Sequence, residues 1–183
     1  VFKKDNYIYI GENKEVEIIE TYRKHKNFDM VKFVGKDNIN DVIKYKGKKD
    51  KVIEVTYKEF EDDTNQLGTA LASINMQDKH IAMIGENSYK WLTVYLTVLK
   101  STGVFVPIDK ELTAPELINV LTHSDAEVLF YAQKYEKWIP QIKEQVPNIK
   151  FFIGLNRKED EGNILSYDNV KENGKRILEQ GSK

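Results

Sequence analysis

The feature that most constrains the fold is a regular alternation of short apolar runs with helical patterns in the later two thirds of the chain. The apolar runs at residues 80–84, 104–107, 127–131 and 149–153 have the length of strands. Nearly continuous apolar sequence is typical of strands buried on both faces of a sheet. Short connections link each run to a segment with helical spacing. This alternation predicts an α/β fold, with a parallel sheet flanked by helices.

Helix-start signals support this interpretation. Thr56 and Thr113 each precede a glutamate by three residues, the pattern of a capping box. Ser88 and Ser166 stand before two further helical segments and can act as N-caps. Gly174 lies inside the last of these helices and lowers its intrinsic helix propensity by about 1 kcal/mol. We therefore predict helices that begin near residues 57, 89, 114 and 167.

Apolar side chains with helical spacing mark the core-facing sides of two of these helices. They are Phe60, Leu67, Ala70, Leu71 and Ile74 on the first, and Trp91, Leu92, Tyr95, Val98 and Leu99 on the second. Pro107 has no N–H to donate and is expected to end the strand that begins at residue 104. Residues 135–145 predict another helix, with a kink at Pro140.

The first 50 residues are polar and rich in lysine, and they carry weaker signals. Spacing predicts an amphipathic helix over residues 16–25. Two strand-like runs, 41–45 and 51–55, flank a lysine-rich turn, and this arrangement predicts a β-hairpin. The predicted organisation is thus a region of helix and hairpin over residues 1–50 and an α/β portion over residues 51–183.

Composition excludes several kinds of site. The formal net charge of −1 argues against electrostatic capture of nucleic acid. With no cysteine, the chain has no disulfide framework and no thiolate metal site. Its three histidines lack the spacing of a zinc site. The longest apolar stretches are far shorter than the roughly 18 residues that would cross a bilayer. We expect a cytoplasmic protein and leave open a peripheral association with a membrane.

Common catalytic signatures are absent from the sequence. It has no G-x-x-x-x-G-K-[ST] phosphate loop, no G-x-G-x-x-G fingerprint, no G-x-S-x-G elbow and no H-E-x-x-H motif. The residues alone therefore identify no nucleotide-binding or hydrolase site.

Two linked segments resemble a known family. Residues 55–60, V-T-Y-K-E-F, resemble its Thr-Tyr-x-Glu-Leu motif, and residues 99–109, L-K-S-T-G-V-F-V-P-I-D, resemble its Leu-Lys-Ala-Gly-x-x-x-Val-Pro-Ile-Asp-Pro motif. The stretch 81–91 between these segments and the stretch 112–126 after them also resemble sequences of the same family. The chain thus resembles the N-terminal part of an adenylate-forming (AMP-binding) acyl-CoA synthetase. Gly85-Glu86-Asn87-Ser88 and Lys110 make it similar to bacterial long-chain-fatty-acid–CoA ligases, although the family more often has proline at position 110 and Ala-Gly near 101–103.

The resemblance implies a fold and a reaction. Such enzymes activate a fatty acid with ATP and Mg²⁺ to an acyl adenylate, then transfer the acyl group to coenzyme A. Their phosphate loop and catalytic motifs lie further along the chain than residue 183, so we expect an inactive fragment that binds none of these cofactors alone. The resemblance implies no catalytic or metal-binding residue here. It places Pro107, Ile108 and Asp109 at the edge of the channel for coenzyme A.

Other interpretations remain open. The chain could be a free-standing flavodoxin-like binding or signalling domain, with Asp109 as its candidate phosphoacceptor. It could also belong to an enzyme that adenylates amino acids or aryl acids, or serve as an interaction domain through an exposed apolar patch. The expected partners are small-molecule substrates (fatty acid, ATP and coenzyme A) rather than nucleic acid, and the sequence carries no sign of oligomeric state.

Overall fold

The structure, a computed structural model, describes residues 2–4, 7–9, 15–18, 33–35, 42–46, 52–101 and 103–181. The chain divides into two compact units, Val1–Glu61 and Asp62–Lys183.

The described strands of unit 1 pair antiparallel. Its four-stranded sheet has the order β1-β2-β3-β4, and a separate hairpin pairs β5 with β6. The strands are β1 (Phe2–Lys4), β2 (Tyr7–Tyr9), β3 (Glu15–Ile18), β4 (Phe33–Gly35), β5 (Val42–Lys46) and β6 (Val52–Thr56). The pairing of Val42 with Thr56 and of Lys46 with Val52 confirms the predicted hairpin.

The helix predicted over residues 16–25 is wrong at its start. Residues 16–18 belong to β3, which pairs with both β2 and β4. The sequence Glu-Val-Glu-Ile alternates polar and apolar side chains with the period of a strand, and this local alternation prevails over the helical spacing. The rest of the predicted helix, 19–25, lies outside the described residues.

Helix α1 (Tyr57–Ser73) begins in unit 1 and continues into unit 2. The Thr56 N–H donates to Glu59 Oε2 (2.7 Å), and the Glu59 N–H donates to Thr56 Oγ1 (3.2 Å), so the predicted capping box is formed. The other elements of unit 2 are β7 (His80–Ile84), α2 (Tyr89–Lys100), β8 (Val104–Ile108), α3 (Ala114–His123), β9 (Ala126–Tyr131), a 3₁₀ helix (Gln133–Trp138), α4 (Ile139–Gln145), β10 (Phe151–Gly154), β11 (Ile164–Ser166) and α5 (Tyr167–Glu179).

The sheet of unit 2 is parallel throughout and has the order β11-β10-β9-β7-β8. In chain order this is the 2-1-3-4-5 arrangement of doubly wound folds. The connection from β7 to β8 runs one way across the sheet and the return to β9 runs the other, so right-handed crossovers place α2 on one face and α3 with α4 on the opposite face. The structure confirms the predicted parallel sheet flanked by helices.

Helices α1, α2 and α5 contact one another through polar side chains. Asp63 on α1 accepts hydrogen bonds from Tyr89 on α2 (2.9 Å) and from Lys171 on α5 (2.7 Å). Burial raises the pKa of the Tyr89 phenol, and the neighbouring Asp63 carboxylate adds to this effect. The phenol therefore remains a neutral donor. Asp63 joins all three helices of this layer.

The core follows the predicted apolar pattern on α1 but not on α2. Leu67, Ala70 and Leu71 are buried as predicted. Helix α2 instead buries Thr93 and Thr97 beside two valines, whereas the predicted core residues Trp91, Leu92 and Tyr95 are only half-buried. Threonine is tolerated there because the hydroxyl groups have acceptors: Thr93 donates to the Tyr89 carbonyl (2.9 Å) and Thr97 to the Thr64 carbonyl (3.4 Å).

Strand β8 differs from the prediction in two respects. It forms an edge of the sheet rather than a buried strand, and Val104 is 46% exposed. Pro107 does not end the strand, which continues to Ile108. The Val104 N–H donates to the carbonyl of Lys79, the residue just before β7. The backbone N–H and carbonyl groups of residues 104, 106 and 108 therefore point toward β7, and the backbone groups of residues 105 and 107 point outward. A proline at 107 therefore costs no hydrogen bond to β7.

The later part of unit 2 differs from the sequence prediction in three details. The helix predicted over residues 135–145 is a 3₁₀ helix followed by α4, with Pro140 in the first turn of α4 rather than at a kink. Strand β11 was not predicted. Gly174 is required by packing, since a Cβ there would lie 1.8 Å from the Gln66 carbonyl oxygen of α1.

Candidate ligand-binding edge of the parallel sheet

The carboxyl ends of the parallel strands form the edge where ligands bind in open α/β sheets. The connections reverse direction between β7 and β9, and the loops after these two strands diverge at that point. Gly85 follows β7 and packs against Ala132 after β9, where a Cβ on the glycine would lie 3.1 Å from the alanine Cβ. The Ala132 N–H also bonds to the Ile84 carbonyl (3.0 Å). The two chain segments therefore remain in contact one residue beyond the ends of β7 and β9.

The sequence-predicted site residues lie at the end of β8, on this edge. Pro107 and Asp109 are exposed, whereas Ile108 is 8% exposed and belongs to the core. Asp109 Oδ1 accepts a hydrogen bond from the Glu111 N–H (2.9 Å), which forms a turn after the strand. The structure thus presents two of the three residues to solvent and uses the third for packing.

Two contacts join the loops of this edge. The Tyr135 hydroxyl donates to the Lys110 carbonyl (2.7 Å), which links the loop after β8 to the 3₁₀ helix after β9. Lys134 Nζ lies 2.7 Å from Glu86 Oε1, which links the loops after β9 and β7. The hydrogen bond to Glu86 raises the pKa of Lys134, and the same contact lowers the pKa of Glu86. Both groups are therefore charged near neutral pH.

Sequence reasoning missed Lys134 and Tyr135. They lie three and four residues after a buried strand, and this position near the carboxyl end of a parallel strand was the available signal. Lys134 Nζ also lies 4.9 Å from the centre of the Tyr135 ring, a cation–π distance.

The described residues do not fit a magnesium–nucleotide site. Glu86 is paired with Lys134, and Asp109 accepts from its own turn. Ser88 caps α2 by accepting from the Trp91 N–H (3.1 Å), so its side chain already occupies one donor of that helix start. Among the side chains that the structure describes, no group of three His, Asp or Glu residues could hold a metal ion.

The histidines have separate structural contacts. His80 Nδ1 donates to the Ser124 carbonyl (2.8 Å), and His123 Nδ1 donates to the Asn119 carbonyl (2.7 Å). His25 lies outside the described residues. In the part of the chain that the structure covers, no helix is long and apolar enough to cross a membrane.

A cleft lies elsewhere in unit 2, between α1 and α2, and has a volume of about 430 Å³. Lys100 reaches across it, with Nζ 3.0 Å from Thr64 Oγ1 and 2.7 Å from Asn65 Oδ1. Lys100 is the last residue of α2, and the chain then enters β8. The cleft therefore lies near the amino ends of the strands, whereas Asp109 lies at their carboxyl ends.

Comparisons with known proteins give a family match and two kinds of relative. The family model described as "AMP-binding enzyme" matches residues 35–178. Bacitracin synthase 2 of Bacillus licheniformis is 33% identical over 82 residues, which are 44% of this chain and 3% of that protein. The ribosome maturation factor RimM of Streptococcus thermophilus is 49% identical over 59 residues, which are 32% of this chain and 31% of that protein.

Solved structures share the fold. The anthranilate CoA ligase AuaEII, solved in complex with anthranoyl-AMP, aligns with a TM-score of 0.61 and 23% identity over 66% of this chain and 23% of its own. The acyl-CoA synthetase of Brucella canis aligns with a TM-score of 0.63 and 12% identity over 75% of this chain and 25% of its own. This chain therefore spans about a quarter of the length of these two enzymes.

Proposed function

Because the chain belongs to the AMP-binding enzyme family, we propose that it forms the N-terminal α/β portion of a ligase that activates a carboxylic acid with ATP and transfers the acyl group to coenzyme A. The family match over residues 35–178 carries this proposal. The five-stranded parallel sheet and its likeness to CoA ligases support it. ATP, Mg²⁺ and coenzyme A would be bound by the whole enzyme, in the cytoplasm.

The residues described here supply no phosphate loop and no metal ligands, so the proposed role of this chain is structural support. We expect no ATP–pyrophosphate exchange from residues 1–183 with fatty, aryl or amino acids. Exchange above the level of a heat-denatured control would contradict the assignment of the machinery to another part of the enzyme.

The proposed acid is a long-chain fatty acid. The Gly-Glu-Asn-Ser turn at 85–88 and Lys110, which resemble fatty-acid ligases, support this choice. The likenesses to an anthranilate CoA ligase and to bacitracin synthase 2 keep aryl and amino acids as alternatives. The gene should be expressed with the reading frame that follows residue 183, and pyrophosphate release measured with matched acids. Faster release with benzoate or an amino acid than with palmitate would refute the fatty-acid proposal.

The proposed contact with coenzyme A is the exposed part of the 107–109 segment. The Tyr135–Lys110 hydrogen bond fixes this loop, and Ile108 anchors it in the core. In the whole enzyme, Asp109→Trp should raise KM for coenzyme A about tenfold by obstructing the channel, without slowing ATP–pyrophosphate exchange. Asp109→Asn, which keeps the turn acceptor, is the matched control. An unchanged KM in the tryptophan variant would remove this segment from the coenzyme A site.

The RimM likeness favours a second role for part of the chain. Unit 1 spans 61 residues and its described strands are antiparallel, and the 66% of the chain aligned with the anthranilate ligase is about the size of unit 2. We propose that the 59 RimM-like residues lie in unit 1 and that this part acts in ribosome maturation. The domain division proposed from the sequence, at residue 50, lies within β-rich unit 1.

Co-sedimentation of the full chain with bacterial ribosomal subunits tests this role, with RimM as the competitor. Binding that RimM displaces is the expected result. It would also count against the expectation that the chain has no nucleic-acid partner. A chain that stays in the supernatant at low salt would contradict the second role and leave the ligase assignment of unit 2 unaffected.

A further inference from the structure

Tyr135 and the loop after β8 are joined across an intervening strand. In the sheet order β9-β7-β8, the strand β7 lies between the strand that precedes Tyr135 and the strand that precedes Lys110. Neighbouring strands are about 4.8 Å apart, so the ends of β9 and β8 are separated by roughly 10 Å. The Tyr135 hydroxyl nevertheless donates to the Lys110 carbonyl at 2.7 Å. The tyrosine therefore spans the position of β7 at the carboxyl edge of the sheet.

Tyr135 is itself held in place by its surroundings. Its side chain is 1% exposed, and the centre of its ring lies 5.3 Å from that of Trp138. Its N–H donates to the Ala132 carbonyl (3.0 Å), and the Ala132 N–H donates to the Ile84 carbonyl at the end of β7 (3.0 Å). A buried ring in a closely packed interior has little freedom to change its rotamer. The hydroxyl is therefore presented at a fixed point of this edge.

The loop after β8 has few other ties. Strand β8 is at the margin of the sheet, and its described pairing is with β7. Within the loop, the Glu111 N–H donates to Asp109 Oδ1 (2.9 Å) and the Leu112 N–H donates to the Asp109 carbonyl (3.4 Å). Among the described residues, the hydrogen bond from Tyr135 is the one that joins residues 109–112 to another element. The position of this loop therefore depends on one hydroxyl group.

We propose that Tyr135 is a positioning residue, whose hydroxyl holds the exposed Pro107 and Asp109 in place for coenzyme A. This inference rests on the proposed contact of the 107–109 segment with coenzyme A. Asp109 is the direct neighbour of Lys110, so loss of the hydrogen bond to the Lys110 carbonyl frees the exposed part of the segment. Tyr135 is buried and acts through the loop without touching the ligand. A loop that must become ordered on binding lowers affinity, because its lost entropy opposes association.

Amide hydrogen exchange of the full chain tests whether the hydroxyl orders the loop. Tyr135→Phe keeps the buried ring and removes only the hydroxyl, so circular dichroism should show an unchanged fold. The amides of Glu111 and Leu112 should exchange about fivefold faster in this variant, the ratio expected for one hydrogen bond of ordinary net strength. Tyr167→Phe is the matched control, because this buried hydroxyl has no hydrogen-bond partner among the described residues and its removal should not affect the loop. Equal loop exchange in Tyr135→Phe and the unmodified chain would overturn the proposal.

A second measurement, in the whole enzyme, relates the loop to coenzyme A. Tyr135→Phe should raise KM for coenzyme A about fivefold and leave kcat and ATP–pyrophosphate exchange within about twofold, whereas a general loss of structure would lower both rates. Tyr167→Phe should leave KM unchanged.

The outcomes separate this inference from the proposed function. If Asp109→Trp raises KM for coenzyme A and Tyr135→Phe does not, the segment contacts coenzyme A without help from the hydroxyl, and the positioning role is refuted while the proposed function stands. If neither variant changes KM, the contact itself is wrong and the positioning role is refuted with it. An unmodified enzyme that makes no coenzyme A thioester would refute the proposed function, and the inference with it.

Discussion

Replacement of Gly174 by alanine tests how closely α5 packs against α1. In an exposed helix interior this change would stabilise the protein by about 1 kcal/mol, because glycine has the lower helix propensity. Here the added Cβ would lie 1.8 Å from the Gln66 carbonyl oxygen, 2.8 Å from the Gln66 carbonyl carbon and 3.0 Å from the Ala70 nitrogen. All three atoms belong to the backbone of α1 and cannot rotate away.

The two effects have opposite signs, and packing should prevail. Relief of the contact requires α5 to move by roughly 1 Å, and interiors packed to crystal density resist such shifts. An extra carbon in a packed interior costs about 1 to 3 kcal/mol, and a backbone obstacle places this case at the upper end. After the gain in propensity is subtracted, we expect Gly174→Ala to lower the free energy of unfolding by about 2 kcal/mol.

Denaturant unfolding followed by tryptophan fluorescence measures this loss. The chain has two tryptophans, Trp91 and Trp138, and both lie in unit 2, so the signal reports on the unit that contains α5. Asn173→Ala introduces the same residue at the neighbouring exposed position and should be neutral or slightly stabilising. If Gly174→Ala raised the unfolding midpoint as Asn173→Ala does, the close approach of the two helices would be refuted.

Three further substitutions test contacts within unit 2. Asp63→Asn should lower the free energy of unfolding by about 1 to 2 kcal/mol, since Tyr89 and Lys171 lose a shared carboxylate; Glu172→Gln, in a surface pair, should change it little. Glu116 accepts hydrogen bonds from the Thr113 hydroxyl and N–H, which lower its pKa below the ordinary 4.5. The ionised Glu116 carboxylate therefore contributes its full share of stability above pH 4.5, and this share is lost as the pH falls through the lowered pKa. Glu116→Gln should consequently make the melting temperature less dependent on pH on the acid side. Arg157→Lys should lower the free energy of unfolding by about 1 kcal/mol, because lysine cannot bridge Glu136 and Glu161 as the guanidinium does. Amide hydrogen exchange in residues 155–163 should become faster, and equal exchange in both proteins would contradict this.

Much of unit 2 could be predicted because its signals are local. The strand β7 and the starts of α1, α2, α3 and α5 coincide with apolar runs and N-cap residues in the sequence. The parallel sheet follows from strand–helix alternation without any knowledge of strand order. These features depend on neighbouring residues, so a single sequence is sufficient to identify them.

What could not be predicted depends on contacts distant in sequence. The edge position of β8 follows from strand order, because a short apolar run has the same appearance in the centre of a sheet and at its margin. In the sequence, Gly174 only lowers the helix propensity of its segment, and its packing role becomes visible only when α1 is seen against it. The Tyr135–Lys110 hydrogen bond and the Lys134–Glu86 ion pair join residues 25 and 48 positions apart in sequence, and no sequence motif indicates either contact.

The candidate site shows the same division between local and distant information. Asp109 accepts a hydrogen bond from the Glu111 N–H in a turn, a role that follows from its own position after a strand. Whether the exposed atoms of Pro107 and Asp109 meet a ligand depends on what lies opposite them. Strand order alone does not decide this, since the 2-1-3-4-5 sheet serves unrelated functions in different proteins.

The carboxyl edge of the sheet is held by an ion pair and a tyrosine hydrogen bond, which fix the positions of its loops. If the proposed contact with coenzyme A is made there, loops that are already fixed lose little conformational entropy on binding. Asp109→Trp should consequently change the use of coenzyme A in the whole enzyme and leave the Lys134–Glu86 and Tyr135–Lys110 contacts in place.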